Sequence, residues 1–218
     1  MLASIANRLM NPVLDRKRPR PSSAPVPVPA EMPALRDAEL AAVYYGQRVG
    51  GDFYDCLRVS PTRVVFGLMD LAGSAAQNRS ILSATQRAFR KLASELLAAD
   101  GANEAEGMIQ LALQLNQTIL GQVKGVRPCA VFAGSYNESL GIVCYFNAGH
   151  TPGLVRDRTG LIELPATGLP LGLFSHTAWD APMVALQPGA ALLLVSRGLI
   201  EGRSRSKGEE FGLERLKD

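Results

Sequence analysis

Apolar and polar positions divide the chain into short strand-like runs and two long helical ones. Leu40 to Tyr45 reads as a strand, and a second strand follows a glycine-marked turn over Val49 to Val59. Pro61-Thr-Arg63 is a turn, and Val64 to Met69 is a mostly apolar strand ending at Asp70. Consecutive strands joined by such short turns predict antiparallel pairing. From about Ala76 to Leu97 the period changes. Ile81, Thr85, Phe89, Leu92 and Leu96 recur every three or four positions as one apolar stripe, with Arg79, Arg87, Arg90 and Lys91 largely outside it. A second helix opens at the capping residue Asn103, with Glu106 spaced to reach back to its amide. Met108, Leu111, Leu115 and Ile119 supply its buried face, and Gly121 can end it.

The period then returns to that of strands. Ala130 to Tyr136 and Gly141 to Phe146 flank the turn Asn137-Glu-Ser-Leu140, and Asn147 to Pro152 turns into Gly153 to Arg156. Asp157-Arg-Thr-Gly160 makes another hairpin into Leu161 to Leu164, and Ala178 to Leu186 and Ala190 to Val195 read as further strands. A helical pair followed by a β-rich run predicts an α+β domain, with two packed antiparallel sheets flanked by helices.

Composition places the chain among globular proteins: 218 residues, 47% hydrophobic and 20% charged. No apolar run approaches the ~20 residues that span a bilayer, and Met1 to Met10 lacks a basic stretch followed by an apolar one. Cys56, Cys129 and Cys144 are odd in number and show no C-x-x-C spacing, which argues against a disulfide framework or a zinc site. A cytoplasmic location is the expectation. Residues 1–30 carry Arg8, Arg16, Lys17, Arg18 and Arg20 against Asp15, a net +4; the whole chain is +3, so the remainder sums to −1. Seven prolines lie between Pro12 and Pro33. Residues 1–35 are expected to be a basic, proline-rich linker and residues 36–218 the domain. A solvated linker is the ordinary reading of that charge, so no nucleic-acid partner is expected.

Two stretches hold the chemistry. Val49-Gly-Gly-Asp-Phe-Tyr-Asp55 and Phe66-Gly-Leu-Met-Asp-Leu-Ala-Gly73 each set an aspartate beside apolar residues and glycines. Carboxylates delivered by two strands to one end of a sheet suit hard divalent cations, although a single acidic residue at a strand end is ordinarily only solvated. Further stretches follow in order: Asn147-Ala-Gly-His-Thr-Pro152, Gly168-Leu-Pro-Leu-Gly-Leu173, Leu192 to Glu201, and Gly208-Glu-Glu-Phe-Gly-Leu-Glu-Arg-Leu216. Together they resemble the PPM-type, metal-dependent serine/threonine phosphatases of the bacterial sporulation stage II E class, over roughly residues 38 to 216.

The resemblance implies an α/β/β/α sandwich and a pair of Mn²⁺ or Mg²⁺ ions holding a hydroxide that attacks phosphorus in line. It implies Asp52 and Asp70 as metal ligands, with the backbone carbonyl of Leu71 a further one, and phosphorylated anti-sigma antagonist proteins as clients. Asp55 is assigned a structural role, as are Gly50, Gly51, Gly73, Asn147, Gly149, His150 and Gly198. The family's D-V-S-G-H-G reads Asp70-Leu-Ala-Gly-Ser74-Ala75 here, and its T-D-G reads Ser196-Arg197-Gly198. Arg197 stands where the family has a ligand, and a guanidinium offers a metal no lone pair. Of four expected carboxylates two remain, and the fourth, with a closing helix and strand, falls beyond Leu216. The expectation is therefore a C-terminally incomplete, phosphatase-like domain that binds a phosphoprotein with impaired turnover, Arg197 pairing with Asp52, Asp70 or both. The alternative is an active Mn- or Mg-dependent phosphatase. A homodimer through an open sheet edge is a further expectation.

Overall fold

Side chains alternate along a strand, so each strand of a layered fold serves two cores at once. The computed structural model describes residues 28–43, 52–73, 75–122, 125–203 and 208–217, with backbone alone for 75–77. In it β1 (Asp52–Ser60) and β2 (Arg63–Leu71) pair antiparallel across the Pro61-Thr62 turn. β3 (Cys129–Asn137), β4 (Ile142–Ala148) and β7 (Met183–Ala185) complete a five-stranded antiparallel sheet in the order β1-β2-β3-β4-β7. A second antiparallel sheet, ordered β6-β5-β8, comprises β5 (Gly153–Arg156), β6 (Leu161–Leu164) and β8 (Ala191–Leu193).

The odd-numbered positions of β2 face the helices. Val65, Met69 and Leu71 join Phe89 and Leu97 of α1 (Ala75–Leu97) and Met108, Leu111 and Leu115 of α2 (Glu104–Gln122) in one core. The even-numbered Phe66 faces the second sheet, in a core with Phe132, Tyr145, Val155 and Leu164. Gly134 leaves room there, since a Cβ on it would lie 2.5 Å from the Phe66 ring. The layers therefore run helix pair, five-stranded sheet, three-stranded sheet. Beyond β8 come two single turns, α3 (Arg197–Ile200) and α4 (Glu214–Lys217).

A buried polar cluster ties the helix pair to the central sheet. Arg63 of β2 donates through Nε to Glu104 Oε1 at 2.8 Å, and through Nη1 to the carbonyls of Leu97 and Ala99 at the end of α1. Glu104, in the first turn of α2, also accepts from Asn137 Nδ2 at 2.7 Å. One ion pair thus caps α1, opens α2 and fixes both against β2 and β3.

Several expected elements differ. Leu40–Val43 carries no strand, and the rest of that predicted strand, with Val49, Gly50 and Gly51 of the next, lies outside the described residues. The run from Ala178 to Leu186 yields only three strand residues. Trp179 is buried with its indole donating to the Leu169 carbonyl, and Pro182 has no amide to pair. Glu106 does not close the predicted box: its amide takes the Asn103 side chain, while its carboxylate accepts from Gln110. The α2 helix also runs one residue past Gly121.

Candidate functional site

The same alternation separates the three aspartates. Asp52 and Asp70 face each other as a direct cross-strand pair at the end of β1 and β2. They stand on the even-numbered face, towards the second sheet. Like charges set opposite one another repel. Burial, and after it the facing Asp70, push the Asp52 carboxyl above the usual carboxylate range, while the Ser196 hydroxyl and Arg197 pull it back. Asp55, three positions along, falls on the helix face instead. It is buried, accepts from Arg90 Nε at 2.7 Å and from Nη2 at 2.9 Å, and takes the Cys56 amide. Asp55 thus joins β1 to α1 and stands apart from the pair.

Arg197 opens α3 directly after Ser196, where β8 delivers the chain back to the central sheet. Its Nε and Nη2 both donate to Asp70 Oδ2, at 3.2 and 3.1 Å. The Asp70 side chain is 15% exposed and that of Arg197 57%, so the guanidinium lies over the carboxylate from the solvent side. Gly198, inside α3, has ample space around it, with Ser196 Oγ the nearest neighbour at 3.7 Å.

The Leu71 carbonyl is also engaged: Asn78 Nδ2 donates to it at 3.0 Å and to the Ala72 carbonyl at 3.3 Å. Asn78 is fully buried in the first turn of α1, and Arg127 Nη1 donates to its Oδ1 at 2.6 Å. Gly73 has φ +114° beside these groups, and a Cβ there would lie 3.2 Å from Arg127 Nη1. Ser74 lies outside the described residues. The sequence reading missed Asn78, Arg127 and Ser196. A polar residue on the inward side of an apolar helix signalled the first; adjacency to Arg197 signalled the last.

The Asn147-to-Pro152 turn supports the site from the second-sheet side. Asn147 Oδ1 accepts the His150 amide at 2.8 Å, and Nδ2 reaches the carbonyls of Thr151 and Leu164. Gly149 has φ +66°, and a Cβ on it would meet Pro170 at 2.5 Å, so no other residue fits without movement. His150 is buried. Its Nδ1 meets Thr151 Oγ1 at 3.0 Å, and that hydroxyl donates in turn to the carbonyl of Val195, just before Ser196. Its Nε2 is buried with no hydrogen-bond partner among the described residues. Burial holds the imidazole below its ordinary pKa, despite the opposing pull of the Thr151 carbonyl and Asp70.

A pair of dications needs several carboxylates, because the ions repel strongly unless neutralised. Two carboxylates converge here, one of them bonded to a fixed cation, and the Leu71 carbonyl, which accepts from Asn78 with one of its two lone pairs, adds no negative charge. Among the described residues no group of three or more His, Cys, Asp or Glu side chains is arranged to hold a metal. These residues do not fit a two-metal centre.

A helix pair on a five-stranded sheet, backed by a second sheet and carrying paired aspartates at its end, is the fold of PP2C-type phosphatase domains. The stage II sporulation protein E (SpoIIE) family model matches residues 60–218, and the chain belongs to that family. It is 24% identical over 209 residues to protein IcfG of Synechocystis sp., covering 87% of this chain and 33% of that protein. The chain therefore spans about a third of the length of that relative. The SiaA-PP2C domain of Pseudomonas aeruginosa superposes with TM-score 0.64 at 17% identity, over 78% of this chain and 64% of that one. The RsbU and RsbW domains of Rv1364c from Mycobacterium tuberculosis give 0.59 at 24%, over 78% of this chain and 43% of that one.

Proposed function

We propose that this domain is a phosphatase-like module of bacterial signalling that binds a phosphoserine or phosphothreonine protein without efficient turnover. The single observation that supports this reading is the Arg197 guanidinium bonded to Asp70. In-line hydrolysis at such a fold rests on metal ions that polarise the phosphoryl oxygens and generate hydroxide at neutral pH. A guanidinium in a ligand's place neutralises one carboxylate but supplies neither Lewis acidity nor a coordinated water. Asp70 then serves to anchor Arg197 and α3, and the site keeps its outline without its chemistry. The client in this reading is a phosphorylated protein of the anti-sigma antagonist type, in keeping with membership of the family. No helix among the described residues is long and apolar enough to cross a membrane, and a cytoplasmic setting is part of the proposal.

The test incubates the chain with a serine-phosphorylated antagonist-type protein and Mn²⁺, and follows both capture and phosphate release. The reading predicts capture with no release above the metal-free blank. Manganese-dependent release that scales with the amount of chain would overturn it in favour of an active phosphatase.

A further inference from the structure

A segment with no regular structure, residues 28–36, is fastened at both ends over the outer side of β1 and α1. At one end Gln86 of α1 uses its whole amide on one backbone residue. Its Oε1 accepts the Val28 amide and its Nε2 donates to the Val28 carbonyl, both at 2.7 Å. At the other end Arg58 of β1 donates to the Ala34 carbonyl, and Glu138 Oε1 accepts the Arg36 amide at 2.8 Å. Arg58 and Glu138 are themselves paired at 2.6 Å, so these two contacts form one unit. Between the ends the segment bows away and leaves a cavity of roughly 380 Å³, with Glu31, Met32 and Pro33 on one side and Cys56, Leu57 and Arg90 on the other.

The construction is that of a receptor. Gln86 is 3% exposed with the segment in place, and both groups of its amide are matched by one backbone residue, so the groove suits an occupant with an open backbone. Among the described residues β1 is the edge strand of its sheet. Prolines at 29 and 33 keep the segment extended and deny it ladder bonds. Backbone groups are read at residues 28, 34 and 36, and the one acidic side chain of the segment's central stretch, Glu31, lines the same cavity as the Arg90 guanidinium. Main-chain bonds at a sheet edge with one side-chain discriminator are how extended peptides are recognised. The segment is also only lightly held, since Val28, Glu31, Ala34 and Arg36 are all exposed.

We propose that the β1–α1 face is a docking groove for an extended, proline-interrupted peptide with a central acidic side chain, and that residues 28–36 are its resident, releasable ligand. A segment tethered in cis competes at an effective concentration in the millimolar range, so an outside peptide enters only when the resident one is weakened. The groove runs along the edge of β1 beside α1, and its lining includes neither Asp52 nor Asp70.

The test uses the full chain and a fluorescein-labelled synthetic peptide spanning residues 26–38, read by anisotropy. The double variant Val28→Pro and Glu31→Lys removes one backbone donor and reverses one charge in the resident segment, leaving the groove itself untouched. Glu31→Lys alone serves if the double variant loses stability. The expected result is peptide affinity at least tenfold higher for the variant than for the wild type, lost again when the peptide itself carries Glu31→Lys. Equal affinity for both chains, or no binding to either, overturns the proposal, and so does binding indifferent to the peptide's acidic residue.

Discussion

Replacing Glu104 by alanine is the sharpest probe of how the helix pair is held on the sheet that carries the site. The side chains of Glu104 and Arg63 are 9% and 8% exposed, and the carboxylate takes both Arg63 Nε and Asn137 Nδ2. Deleting it leaves a buried guanidinium with only the Leu97 and Ala99 carbonyls, and an amide without its acceptor. Breaking a buried pair by removing one partner costs about 3–5 kcal/mol. For a domain of this size that corresponds to a fall in Tm of roughly 10 °C. Urea unfolding followed by circular dichroism measures the change directly. The double variant Arg63→Met with Glu104→Leu recovers part of the loss, because it leaves no unpaired charge, and the cycle gives a coupling above about 1 kcal/mol. A Glu104→Ala chain within about 1 kcal/mol of wild type would refute the reasoning.

Gly149→Ala forces a Cβ onto Pro170 at a positive φ and is expected to lose about 2 kcal/mol, read as a lower urea midpoint. Asp55→Asn weakens a buried bidentate bond to Arg90 and costs on the order of 1–3 kcal/mol; because it lies on the other face, it leaves any metal affinity at Asp52 and Asp70 unchanged in calorimetry. His150 is held neutral by burial, so the unfolded chain takes up its proton first as pH falls. Its contribution is complete above about pH 6.5 and is lost as pH falls towards the lowered folded value. Urea midpoints between about pH 7.5 and 5 should therefore fall more steeply for wild type than for His150→Gln.

Much of this was legible in the residues because period-2 alternation carries positional meaning. Asp52 and Asp55 differ by an odd number and so lie on opposite faces, one at the site and one against α1. The stripe Ile81, Thr85, Phe89 and Leu92 turned inward as its spacing required. What stayed hidden depends on contacts distant in sequence. Nothing in Leu40 to Val43 announces that these four residues carry no strand. Trp179 and Pro182 cut the predicted strand short through a contact with Leu169. The hold of Asn78 on the Leu71 carbonyl, the reach of Arg127 to Asn78 and the grip of Gln86 on Val28 join residues 7, 49 and 58 positions apart. Local pattern cannot encode such pairings.

The central claim concerns what stands in the place of the metal ions, and calorimetric titration with Mn²⁺ addresses it most directly. Wild type and Arg197→Asp are titrated side by side at neutral pH. The ion pair between Arg197 and Asp70 predicts no two-ion binding by wild type, and a gain of manganese affinity in Arg197→Asp, where three carboxylates then converge. Wild-type chain that binds two manganese ions at micromolar affinity would contradict the account.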